Sequence, residues 1–211
     1  MKIWSDSIPA DAPIPAAFAL GKYHPETHVT FSENLSPHIG FSDLPKGTLS
    51  LVILCEDQDV PTRPDDVNQP GRTVPADLPR AGFMHWVMVD ISPDIGELPE
   101  GAYCQGVTAH GKDGVHSPGG PRVGLNDYTG WFAGDDTMAG DYYGYDGPCP
   151  PWNDERIHHY TFTLFAIDCS RLPVEGRFTA GDVRAAMAGH ILDQASFTSS
   201  YHIYPAARDM R

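Results

Sequence analysis

Residues 46–61 read KGTLSLVILCEDQDVP. A glycine turn at the head and a continuous apolar run, Leu51 to Cys55, predict a buried strand that ends in acids and a proline. Two further β-prone runs follow. FMHWVMVDI spans residues 83–91 and is bounded by the turn SPDIGELPEG, and HHYTFTLFAID spans residues 158–168. Between the first two lies TRPDDVNQPGRTVPADLPR, a loop with four prolines and few apolar residues. From Tyr103 to Tyr143 the chain is glycine-rich and weakly periodic, and a stretch that long is either functional or disordered. Its apolar side chains Trp131, Phe132 and Met138 predict that it packs on something.

A helical pattern arises only late. In FTAGDVRAAMAGHILDQA, residues 178–195, Val183, Ala186, Met187, His190 and Ile191 recur at steps of three and four, behind Thr179 as N-cap with Asp182 three residues on. The segment SFTSSYHIYPA that follows predicts a short edge strand. Strands, long loops and one late helix argue for a mainly β domain and against alternating βαβ units.

Composition bounds the function. A chain of 211 residues fits one domain, residues 1–211, and 20 prolines with 21 glycines favour turns and short strands over a helical bundle. A net charge of -14 without a basic stripe argues against nucleic-acid binding. No run approaches membrane-spanning length, so no membrane insertion is expected. The N-terminal segment lacks the apolar core of a secretory signal, which makes cytoplasm the default location. Cys55, Cys104, Cys149 and Cys169 form no C-x-x-C pair and read as four reduced thiols.

Polar groups gather at the strand ends. Asp57 and Asp59 share a face if their strand continues, although Asp before proline also serves turns by bonding nearby N–H groups. Alternation in FMHWVMVD puts Met84, Trp86 and Met88 on one face and Phe83, His85, Val87 and Val89 on the other. His158 and Tyr160 share a face, with His159 opposite. Taken singly, each histidine is more often a core residue than a ligand. Together, Asp57, His85 and His158 could form an anion pocket or a metal site of two histidines and one carboxylate.

The ordered set DQDVP, FMHWVMVDI, GYDGPCPP and HHYTFTLFAID resembles the phosphatidylethanolamine-binding protein family, most closely its bacterial Raf-kinase-inhibitor-like branch. NLSPHIGFSDLPKGTLSLVIL resembles that branch upstream, and TAGDVRAAMAGHIL resembles its C-terminal helix. The resemblance implies a large central, mainly antiparallel sheet packed on a smaller sheet, with peripheral and C-terminal helices. It implies a small pocket for phosphate-like groups. By motif, Asp57, Asp59, His85, His158 and Tyr160 match the pocket residues, and Gly147, Pro148, Pro150 and Pro151 match the loop that walls it. Gln58 and Val60 replace Pro and Ala, Met84 replaces a Trp, and His159 replaces an Arg. The stretch of about 103–141 is longer than the family pattern, although Asn126-Asp127-Tyr128 resembles its N-D-F/Y element, and the additional residues after that element could cover the pocket or form a subunit contact.

The expected function is that of a non-enzymatic binding or regulatory protein for a small anionic or phosphorylated ligand, with no cofactor, no metal and no catalytic residue. The rival is a metal-assisted or acid/base hydrolase using Asp57, His85 and His158, weakened by the lack of a G-x-S-x-G or similar nucleophile motif. The extended loop, through Trp131 and Phe132, offers a contact for a homodimer or another protein partner.

Overall fold

A computed structural model describes residues 1–114 and 120–203. In chain order its strands are β1 (Lys2–Trp4), β2 (Gly21–His24), β3 (His28–Phe31), β4 (Ile39–Ser42), β5 (Ser50–Pro61), β6 (Arg80–Ile91), β7 (Glu97–Leu98) and β8 (Arg122–Val123). A one-turn helix α1 (Tyr128–Trp131), strand β9 (His158–Ile167), helix α2 (Ala180–Ala186) and strand β10 (Ile191–Tyr201) complete the series. Five strands form an antiparallel sheet in the order β10-β9-β5-β6-β8, and β1-β4-β7 form a second, smaller sheet. The ribbon β2-β3 stands apart as a hairpin. The mainly β expectation, with a large sheet packed on a smaller one, therefore holds.

The apolar run of β5 sits at the centre because both its faces are covered. Leu51, Ile53 and Cys55 pack with Trp86, Met88, Phe162 and Leu164 against Ile39, Phe41 and Leu98 of the smaller sheet. Val52 and Leu54 point the other way, with Val87 and Val89, under Val183 and Met187 around α2. Alternation along a strand buried on both faces produces this continuous apolar run.

The late helix is shorter than its pattern. It starts as expected, with the Thr179 side chain accepting from Asp182 N–H and the Asp182 carboxylate accepting in return. It stops at Ala186, and Gly189 at φ 83° turns the chain out of it. His190 and Ile191 are not on the helix, and Ile191 begins β10, where pairing with β9 outweighs the continuing three-four spacing. β10 is an edge strand, as expected, but starts earlier than the sequence suggests. The C-terminal end of the SFTSSYHIYPA reading, from Tyr204 on, lies outside the described residues.

A second correction concerns β6. Opposite β5, Trp86 pairs with Cys55 and Met84 with Glu56, so His85 is an extra residue in a β-bulge. The bulge resets the alternation. Met84 joins Val87 and Val89, while His85 turns to the face of Trp86.

Candidate functional site

The bulge aims His85 at the rung where Asp57 of β5 stands between Tyr160 of β9 and Phe83 of β6. Asp57, His85, His158 and Tyr160 are all almost fully buried. They close one end of a cavity of about 700 Å³. His85 packs edge-on against Tyr160 and Tyr128, with ring centroids 5.1 and 5.4 Å away.

The charged groups at this end have defined partners. His158 Nδ1 lies 2.6 Å from Asp57 Oδ2, and its Nε2 lies 3.1 Å from Asp154 Oδ2. Asp154 is held in turn by Arg80, whose two terminal nitrogens donate at 2.5 and 2.9 Å. Burial opposes a charge on His158, but hydrogen bonds to Asp154 and Asp57 overcome it and raise its pKa to about 9. Burial likewise works to raise Asp154, and the hydrogen bonds from His158 and Arg80 win, leaving it below its usual value. Two carboxylates and two cations thus balance beneath the cavity floor.

His85 is held differently. Its Nδ1 donates to the Asp146 carbonyl at 2.8 Å, and Asp146 N–H donates back to the His85 carbonyl at 3.0 Å. The Asp146 carboxylate is fixed by Asn34 and Asn126, each at 2.8 Å, and by Lys112 at 2.9 Å. Lys112 belongs to the long 103–141 segment, so that segment braces the histidine from behind. With Nδ1 committed, Nε2 is the ring atom left for the cavity. Burial lowers the His85 pKa, and Asp57 with the Asp146 carbonyl offsets this only in part. The ring is therefore neutral near pH 7, and Nε2 is an acceptor.

Tyr160 offers a donor. Its hydroxyl is buried without a hydrogen-bond partner of good geometry. The nearby Asp57 carboxylate is already occupied by Asp59 N–H at 2.7 Å and by His158. Burial and that carboxylate push the phenol well above its ordinary range. It stays protonated.

The remaining motif residues divide. Pro150 and Pro151 line the cavity, as does Cys149 just before them. Gly147 and Pro148 stand one layer back. A Cβ on Gly147 would run into the Phe18 carbonyl oxygen, and the Pro148 carbonyl accepts from Leu20 and Gly21 N–H. Asp59 does not share the face of Asp57. A register shift between Asp57 and Val60 turns it to the face of His159, where it accepts from His159 N–H at 3.0 Å and pairs with Arg156 at 3.2 Å. His159 is exposed, opposite Tyr160, as alternation requires.

Beyond the GPCPP loop and the long segment, the wall was not anticipated from sequence. Val29 and Phe31 reach it from the β2-β3 hairpin, Val60 and Pro61 from the end of β5, and Pro64 and Val67 from the proline-rich loop. Tyr128, Trp131 and Phe132 of the long segment complete it. His28 stacks on Trp152 with centroids 4.1 Å apart, which ties the hairpin to the end of the GPCPP loop. Asp154 and Arg80 also escaped notice. Neither belongs to a periodic pattern, and only the four-residue step from Asp154 to His158 carries any signal.

The sequence profile described as phosphatidylethanolamine-binding protein matches residues 4–202. The chain belongs to that family. A UPF0098 protein of Chlamydia pneumoniae is 30% identical over 185 residues, covering 88% of this chain and 94% of its own. The UPF0098 protein YbhB of Escherichia coli is 29% identical over 169 residues, covering 80% and 82%. Among solved structures, Escherichia coli YbcL, described as a member of the mammalian PEBP family, superposes with a TM-score of 0.65 at 23% identity over 95% of this chain and 97% of its own. A putative homologue of the family from Chlamydia trachomatis gives 0.60 at 26% identity, with 95% of each chain covered. Among the described residues no helix is long and apolar enough to cross a membrane.

Proposed function

We propose that this family member is a non-enzymatic binding protein for an amphiphilic oxyanion, with a phosphate-like head at His85 and Tyr160 and an apolar body along the aromatic wall. One observation carries the reading. A buried Tyr160 hydroxyl that makes no hydrogen bond of good geometry and the free side of His85 meet at the end of a cavity whose other walls are mainly apolar. Cavities that combine apolar walls with a few convergent polar groups are the usual form of small-molecule sites. The volume of about 700 Å³ is that of a drug-sized ligand rather than of a bare anion.

The floor favours a singly charged head. His158 has both nitrogens engaged by carboxylates, so its charge is already neutralised and it is not a donor to the ligand. The Tyr160 hydroxyl donates to the head, and a proton shared between His85 Nε2 and a ligand oxygen supplies the second bond.

Hydrolysis is less well supported. Cys149 is the thiol at the cavity, and burial pushes it up to about 12, which leaves it un-ionised and unreactive. Asp57, His85 and His158 do not converge as metal ligands either, since the nitrogens of His158 face carboxylates and His85 Nδ1 faces a carbonyl.

Calorimetric titration with phenyl phosphate and with inorganic phosphate tests the reading. The expected result is binding of both, tighter for the aryl ester, lost in His85→Ala and weakened about tenfold in Tyr160→Phe by loss of a hydrogen bond to a charged group. Unaltered affinity in both variants rejects the site. Turnover of the ester would reject the non-enzymatic reading.

A further inference from the structure

The opposite end of β9 carries a second cluster. Asp168 and Cys169 follow the last residue of β9, and His190 immediately precedes β10. A carboxylate oxygen of Asp168, the Cys169 sulfur and an imidazole nitrogen of His190 all lie within 4.8 Å of one another. Ten residues of β9 separate this cluster from the His158 cavity, roughly 30 Å at the rise of a strand.

We propose that Asp168, Cys169 and His190 form a binding site for a borderline divalent cation of the zinc type, which staples the two ends of the connection that carries α2. The donor set is one oxygen, one sulfur and one nitrogen, a mixture that suits zinc better than magnesium or calcium. Metal–ligand bonds of about 2.0–2.3 Å in a tetrahedron put neighbouring donors about 3.4 Å apart. Asp168 Oδ1 and His190 Nδ1 stand 2.8 Å apart in a hydrogen bond, so a cation replaces the proton between them and the two donors part to about 3.4 Å, with the Cys169 sulfur within 4.8 Å of both.

The backbone beneath the donors is fixed. Asp168 N–H donates to the His190 carbonyl at 3.1 Å, Ile191 pairs with Ile167, and the Ser50 hydroxyl donates to the Cys169 carbonyl at 2.6 Å. Donors held on a framework of this kind do not have to be gathered at the moment of binding. Asp168 and His190 are exposed and Cys169 is half-buried, so a cation reaches them from solvent and water takes the fourth position. Binding converts the Cys169 thiol to a metal-bound thiolate and releases its proton to solvent. Asp168 and His190 are 22 residues apart, and the chain between them holds α2 on one face of the large sheet. A cation bound across them stabilises the folded state, because the unfolded chain does not hold His190 against Asp168 and Cys169 and binds the ion more weakly.

The full-length protein, stripped of metal with a chelator, is titrated with Co²⁺ and then Zn²⁺. The expected result is one equivalent of Co²⁺ with a thiolate-to-cobalt charge-transfer band, displacement by Zn²⁺, and a rise in Tm with either ion. Cys169→Ser should abolish the band, and His190→Ala and Asp168→Asn should each weaken binding at least tenfold. Absence of the band, its survival in Cys169→Ser, or full affinity in both other variants overturns the site. An unchanged Tm at saturation removes the staple and leaves the Asp168–His190 hydrogen bond as a simple turn closure.

Discussion

Asp57 and His158, 101 positions apart in the chain, meet at 2.6 Å beneath the cavity floor, and Asp154 grips the other ring nitrogen of the same histidine. The ring is an imidazolium because both nitrogens must donate. This has a consequence for stability. The pKa of His158 rises from 6.5 to about 9 in the folded chain. Its contribution is therefore fully present below pH 6.5 and is lost as pH rises through 9, where the folded state no longer binds the extra proton. The shift corresponds to roughly 3 kcal/mol. Urea unfolding should show stability falling between about pH 6.5 and 9, with that slope absent in His158→Gln. Should the variant not fold, NMR titration of the wild-type ring decides the matter. A His158 that is neutral at pH 7.5 sinks the prediction.

Arg80 should be the costliest single loss near the site. Its side chain is only 4% exposed and holds Asp154 through two hydrogen bonds while also donating to the carbonyls of Asp59, Pro75 and Leu78. Arg80→Met leaves Asp154 and Asp57 with His158 as their one buried cation. Breaking a buried pair in this way costs about 3–5 kcal/mol. Denaturant unfolding measures it, and a loss under about 1 kcal/mol, the scale of an exposed pair, would show that the pair is dispensable.

The sheet was legible because β5, β6 and β9 are long apolar or alternating runs with clear turn punctuation. His158 and Tyr160 were placed correctly on one face by the two-residue period alone. His85 was placed on the wrong face, since a bulge is a relation between two strands and leaves no mark in β6 by itself. The same holds for Asp59, turned away by a register shift against Phe83 and Ala81. Asp154 and Arg80 sit in irregular loops where no period operates. The aromatic wall is assembled from three remote segments, and only the fold brings Phe31, Val67 and Trp131 together. The helix was overextended because three-four spacing runs on past Gly189, while the competing pairing with β9 is invisible from the helix side.

Ligand binding should take up a proton. His85 is neutral in the free protein because burial lowers its pKa, with Phe83, Tyr128 and Tyr160 packed around the ring and Asp57, Asp127 and Asp146 as the nearby charges. An anionic head against Nε2 favours the protonated ring or a protonated ligand oxygen, and either adds one proton to the complex. Affinity for phenyl phosphate should then fall about tenfold per pH unit above roughly pH 6.5. His85→Gln, which keeps a fixed amide donor, should flatten the profile. Calorimetry in buffers of different ionisation enthalpy counts the protons directly. A count of zero, with a pH-independent Kd, is the outcome that excludes a titrating His85.

The apolar body of the ligand should be read by Trp131. This side chain is 49% exposed at the end of α1, yet it lines the cavity with Phe132 behind it. Because half of its surface is already in water, Trp131→Ala should change stability by no more than about 1 kcal/mol. Covering the indole with an aryl or alkyl group removes further apolar area from water, an amount consistent with about 1 kcal/mol and a fivefold change in Kd. Inorganic phosphate never reaches the indole, so its affinity should be the same in the variant and the parent. Titration of both proteins with phenyl phosphate, an alkyl phosphate and inorganic phosphate separates the two contributions. A parallel loss for all three ligands would mean that Trp131 supports the site as a whole, and an unchanged Kd for all three would mean that the ligand body lies elsewhere.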